Sequence, residues 1–85
     1  MKIKVNHQDL LAGAASNEPW DNPIALAVSR AFGVKEGEGR PWISMAPGHG
    51  TITDVVLPSG RKVSLPDRVR VWAETMEGEI EFELD

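Results

Sequence analysis

The sequence has no cysteine, no tyrosine, only two histidines and no apolar run of 18 residues. Without cysteine there is no disulfide framework and no thiolate metal site, which agrees with a reducing cytoplasm. Without a long apolar run no segment reads as a membrane-spanning helix. The opening Met1-Lys2-Ile3-Lys4-Val5-Asn6 alternates as a strand does, where a signal peptide would carry an apolar core. The expectation is a soluble cytoplasmic protein. His7 and His49 stand 42 positions apart, and no local spacing assembles a Ser-His-Asp set or a two-histidine carboxylate set. A chain of 85 residues also buries only about 60 to 65 per cent of its unfolded surface, too little to enclose a deep active site in one copy. The reading is a non-enzyme with no cofactor and no metal.

Clustered cations are missing as well. The net charge is −4, and it is uneven: Asp67 to Asp85 holds seven acids against Arg68 and Arg70, while the remainder holds seven bases and six acids. General binding to nucleic-acid backbones depends on clustered lysines and arginines, so that class is excluded. A small anionic ligand held by a few arginines is not.

The best-defined segment is Asn22-Pro23-Ile24-Ala25-Leu26-Ala27-Val28-Ser29-Arg30-Ala31-Phe32-Gly33, a helix with its own start and stop. Asn22 can cap, proline suits the first helical position, and Gly33 can take the left-handed geometry that ends a helix. Ile24, Ala27, Val28 and Ala31 recur at helical spacing, widened by Leu26 and Phe32, so this helix is the expected centre of the core.

Around it the chain reads in order. Ile3 and Val5 mark a first strand; Gln8 to Ala12 give one to two helical turns capped by His7 or Asn6 and ended by Gly13; Ala14 to Trp20 is a loop. After a charged connector from Val34 to Arg40, Trp42 to Ala46 is a second strand. Thr51 to Leu57 and Arg61 to Leu65 form a hairpin about Pro58-Ser59-Gly60. Pro66 opens a second long helix with Val69, Trp72, Ala73 and Met76 inward and Gly78 as its end. Ile80, Phe82 and Leu84 then alternate with glutamates in a last strand.

The order β-α-α-β-β-β-α-β predicts a single-domain α+β fold: a two-layer arrangement with a mostly antiparallel sheet of about five strands packed on two helices. Lys2 and Lys4 on the first strand and glutamates on the last predict that the two terminal strands pair.

Four segments together resemble small, uncharacterised accessory proteins of tailed phages and prophages. They are the first strand leading into Asp9-Leu10-Leu11-Ala12-Gly13, the Pro23-Ile24-Ala25-Leu26-Ala27 helix, the Leu65-Pro66 helix with Val69 and Trp72, and Gly78 before an alternating last strand. In that pattern a cysteine often precedes the proline of the central helix; here the position is Asn22, which leaves capping as its role. The resemblance implies a phage accessory protein in the host cytoplasm and carries no activity, catalytic residue or ligand with it.

Two groups of residues are candidates for binding. The first is a ligand set: Trp20 and Trp42, each offering a flat ring; the loop glycines Gly48 and Gly50 with His49; and Arg40, Arg61, Arg68 and Arg70. Such a set suits a small anion such as a nucleotide, held at a homodimer interface, and its role would be to sequester a nucleotide signal of host defence. The second is the acidic group Glu74, Glu77, Glu79, Glu81 and Glu83, which suits a basic host protein or imitates nucleic acid. The plainer reading of each also stands: a tight strand connection, lids on a small core, a solvated charged face, and a structural part of a phage assembly.

Overall fold

The structure, a computed structural model, describes residues 1–15, 19–34, 39–45 and 52–84. In chain order the elements are β1 (Lys2–Val5), α1 (His7–Ala14), a 3-10 turn (Pro19–Asp21), α2 (Pro23–Phe32), β2 (Trp42–Met45), β3 (Ile52–Val56), β4 (Lys62–Ser64), α3 (Asp67–Thr75) and β5 (Ile80–Glu83). This is the expected α+β order. The five strands divide into two antiparallel sheets, β1-β5 and β2-β3-β4, where a single sheet was expected. Both sheets and all three helices share one core, built on Ile3, Val5, Ile24, Val28, Val55, Val69 and Phe82.

The terminal strands pair as their charges predict, with Lys2 opposite Glu83 and Lys4 opposite Glu81. The pairing puts Ile3 and Phe82 side by side on the core face, both buried.

Helix α2 starts and stops where the sequence places it. The Asn22 side chain accepts from the Ile24 N–H at 2.9 Å, and Gly33 closes the helix at φ 66°. Its buried face is Ile24, Ala25, Ala27 and Val28, whereas Ala31, in the last turn, is exposed.

Two glycines have other roles than those expected. Gly13 does not end α1, which runs through it to Ala14. A Cβ there would stand 2.5 and 2.6 Å from the Pro23 ring and 3.2 Å from the Asp21 carbonyl oxygen, so glycine is what lets α1 touch the start of α2. Helix α3 is ended by Met76, a non-glycine residue held at φ 52°, and Gly78 (φ 74°) makes the turn into β5 instead. Met76 packs against the core, a contact a glycine would forfeit. Trp72, spaced as core, is half-buried, and its indole N–H lies 3.2 Å from the carbonyls of both Glu77 and Gly78.

Asp9 is the buried charge among the described residues, 5 per cent exposed. Asn6 and Asp9 form a reciprocal capping box at the start of α1: the Asp9 N–H donates to Asn6 Oδ1 at 3.0 Å, and the Asn6 N–H donates to Asp9 Oδ2 at 2.9 Å. Arg30 of α2 grips the same carboxylate with two bonds, of 2.7 and 2.9 Å, and donates to the Lys4 carbonyl at 2.6 Å. One guanidinium thereby ties β1, α1 and α2 together.

Two substitutions test this arrangement by urea or thermal unfolding. Gly13→Ala must push the Pro23 ring or the Asp21 backbone aside and is expected to cost about 1–3 kcal/mol. Asp9→Ala removes the carboxylate half of the capping box and leaves Arg30 without its partner. Because Arg30 is half-exposed, the expected cost is about 2–3 kcal/mol, below that of a wholly buried pair.

Candidate functional site

The 3-10 turn Pro19–Asp21 packs against β2, and this contact brings together the segments that carry Trp20, Arg40 and Trp42 of the expected ligand set, with Asp21. Trp20 lies in the turn and Trp42 is the first residue of β2. The alternation of the strand turns Ile43 into the core and leaves Trp42 on the outer face, opposite Val56. The two tryptophans are 42 and 43 per cent exposed. Between the two segments, Arg40 Nη1 lies 3.7 Å from Asp21 Oδ1, and the Arg40 side chain is 53 per cent exposed. Two half-exposed tryptophans thus belong to the segments that this ion pair joins, and its guanidinium still faces water.

The outer face of the three-stranded sheet continues from Trp42 as a row with Val56 and Lys62, followed by a row of Ser44, Asp54 and Ser64. A bulge between Ser44 and Met45 inserts Thr53 into β3. The Asp54 carboxylate consequently accepts from Thr53 Oγ1 at 2.9 Å and from Ser64 Oγ at 3.1 Å. These bonds hold the sheet beside Trp42 in register.

The remaining arginines of the expected ligand set have separate engagements. Arg61 is exposed at the end of the β3-β4 turn, where its carbonyl accepts from the Leu57 N–H at 2.8 Å. Arg68 donates to the Glu81 carbonyl. Arg70 lies 3.8 Å from Asp67, and its Nε is buried with no hydrogen-bond partner. The loop with Gly48, His49 and Gly50 lies outside the described residues.

The acidic group divides. Glu74 and Glu77 are exposed. Glu79 Oε2 accepts from the His7 N–H at 3.0 Å, adding a long-range cap to α1. Glu81 meets Lys2 Nζ at 2.7 Å, and Glu83 lies 3.5 Å from the amino group of Met1. The hydrogen bond and the charge of Lys2 hold the Glu81 carboxyl below its ordinary pKa of 4.5; the same bond and the Glu81 charge hold the Lys2 ammonium above its ordinary 10.5. Three of the five glutamates therefore tie the end of the chain to its beginning.

The sequence reading passed over two features. Asn6-x-x-Asp9 is a legible capping box with Asp in place of Glu or Gln. The partner of Asp9, Arg30, has no local signal, because 21 positions separate the two.

No group of metal ligands occurs among the described residues, and none of their helices is long and apolar enough to cross a membrane. Comparison with protein-family models, curated proteins and solved structures finds no match to this chain.

The Lys2–Glu81 pair gives a pH test. A carboxyl whose folded pKa lies below its unfolded value contributes stability above the ordinary glutamate range and loses it as pH falls through the folded pKa. Wild type is therefore expected to lose more stability than Glu81→Gln when urea midpoints are compared at about pH 6 and about pH 3. Equal losses would refute a role for this pair.

Proposed function

We propose that this protein is a non-enzymatic accessory binding protein and that its ligand is a planar anion of the nucleotide class, held against Trp20 and Trp42. The observation that carries this reading is the pair of half-exposed tryptophans in the two packed segments that the Arg40–Asp21 ion pair joins. Every nucleobase has a face that stacks on an indole, and a base–aromatic stack contributes about 1–3 kcal/mol. The Arg40 guanidinium supplies charge-assisted donors to a phosphate beside the stacked base. Asp21 holds that guanidinium in place while the ligand is absent.

An open face encloses a small ligand only when a second surface closes over it. The reading therefore includes a homodimer in which two such faces meet across the ligand. Sequestering a nucleotide signal of host defence is the role that joins this chemistry to the resemblance with tailed-phage accessory proteins.

Isothermal calorimetry with linear and cyclic nucleotides, paired with sedimentation, tests the reading. Binding is expected, with the complex sedimenting as a dimer. Trp42→Ala is expected to weaken it by about fivefold to a hundredfold, the loss of one stack, with an unchanged circular dichroism spectrum. The reading fails if no nucleotide binds, or if a Trp20→Ala, Trp42→Ala double variant binds as tightly as wild type.

A further inference from the structure

We propose that the outer edge of β5 is a docking edge for an extended peptide segment with lysines at alternate positions, and that Arg68 closes this edge in the free protein. The inference is independent of the nucleotide reading and concerns the opposite use of a surface: backbone pairing in place of ring stacking.

The hydrogen-bond parity of the β1-β5 ladder identifies the edge. The Met1 amino group donates to the Leu84 carbonyl at 2.6 Å, and the Leu84 N–H donates to the Met1 carbonyl at 2.8 Å. Opposed residues in an antiparallel pair alternate between exchanging both bonds and exchanging none. Ile3 with Phe82 and Val5 with Ile80 are therefore bonded pairs. Lys2 with Glu83 and Lys4 with Glu81 turn their N–H and C=O groups outwards, away from each other. Two arginines agree with this parity at a single cross-strand pair: Arg30 donates to the outward carbonyl of Lys4, and Arg68 donates to the outward carbonyl of Glu81.

The two edges are closed unequally. On the β1 side, Arg30 is locked by two further bonds to Asp9. On the β5 side, Arg68 is an exposed residue, and no strand pairs with β5 on that side among the described residues. An open groove of about 230 Å³, lined by Lys2, Arg68, Glu81, Phe82 and Glu83, runs across β5 from the side chain of Lys2 on β1 to Arg68. Outward N–H and C=O groups of Glu83, and the N–H of Glu81, are what a strand needs in order to add.

Charge selects the occupant. β1 already shows which sequence the acidic row of β5 accepts: lysines at every second position, directly opposite Glu83 and Glu81. An incoming strand in the same pattern on the other side meets the same carboxylates, of which Glu83 is 69 per cent exposed. A second copy's β5 would instead set glutamate against glutamate, and like charges directly opposite are destabilising. To admit the strand, Arg68 must release the Glu81 carbonyl, and its positive charge also opposes the incoming lysines. Arg68 acts as a latch on both counts.

The test uses the whole protein and a blocked hexapeptide of alternating lysine and valine, with amide shifts read by NMR. Lysines facing Glu81 and Glu83 are the residues whose own N–H groups point at β5, so N-methylation of the lysine amides is expected to weaken binding about tenfold, and N-methylation of the valine amides to leave it unchanged. Shifts are expected at the Glu81 and Glu83 amides, a glutamate–valine peptide is expected not to bind, and Arg68→Ala is expected to bind the lysine peptide more tightly. Absence of binding, equal binding by both N-methylated peptides, or a glutamate–valine peptide that binds as well would each overturn the docking edge. Unchanged affinity in Arg68→Ala would overturn the latch.

Discussion

The grip of Arg30 on the Asp9 carboxylate is the interaction on which the arrangement of the first half of the chain depends. A carboxylate 5 per cent exposed has lost most of its water, and that loss is tolerable only with charge and hydrogen bonds in place. Asp9 receives the Asn6 N–H and two guanidinium bonds. Because the guanidinium is planar and forked, accepting it fixes the angle as well as the distance between α1 and α2. The same side chain then reaches the Lys4 carbonyl and sets α2 along the edge of β1. With the helices so fixed, Gly13 must lie against the Pro23 ring, and the turn that carries Trp20 must emerge beside β2.

The second half depends on closure of the chain ends. Pairing residues some 80 positions apart carries a large loop-closure entropy, and a two-stranded ribbon is only marginally stable by itself. Here it is stabilised from both faces: Ile3, Val5 and Phe82 are sunk in the common core, and Lys2 with Glu81 and the Met1 amino group with Glu83 span the solvent side. Exposed pairs of this kind contribute little to stability singly. Their greater effect is on register, since a slip of one residue would bury the charged row and expose the apolar one.

What was legible in the sequence follows the range of the forces involved. Asn22, Pro23 and Gly33 act within one turn of α2, and Pro58-Ser59-Gly60 acts within one hairpin, so both elements stand where local chemistry puts them. Terminal pairing was legible too, because complementary charge on two alternating strands survives without knowledge of the path between them. The division into two sheets was not, since strand alternation says which face is apolar and not which strand is the neighbour. Gly13 and Gly78 were misread for a related reason: a glycine near a helix end signals a stop locally, and only the placement of Pro23 shows that Gly13 is a contact, as only the left-handed Met76 shows that α3 ends before Gly78. Of the expected ligand set, adjacency of Trp20, Arg40 and Trp42 depends on the packing of one turn against one strand, which no spacing encodes.

The three tryptophans show where this fold keeps apolar surface in water. Trp72 is half-buried against the core, with its indole N–H at the carbonyls of Glu77 and Gly78, so both its apolar body and its polar tip are used in closing the turn after α3. Trp20 and Trp42 are treated differently. Each leaves more than two-fifths of its surface to water, although burying a large aromatic side chain is among the most favourable steps open to a chain this short. Smaller apolar residues would leave less such surface at both places. Both open rings belong to the two segments that the Arg40–Asp21 ion pair joins, and it is this coincidence of apolar surface and charge, rather than exposure alone, on which the proposed nucleotide face rests.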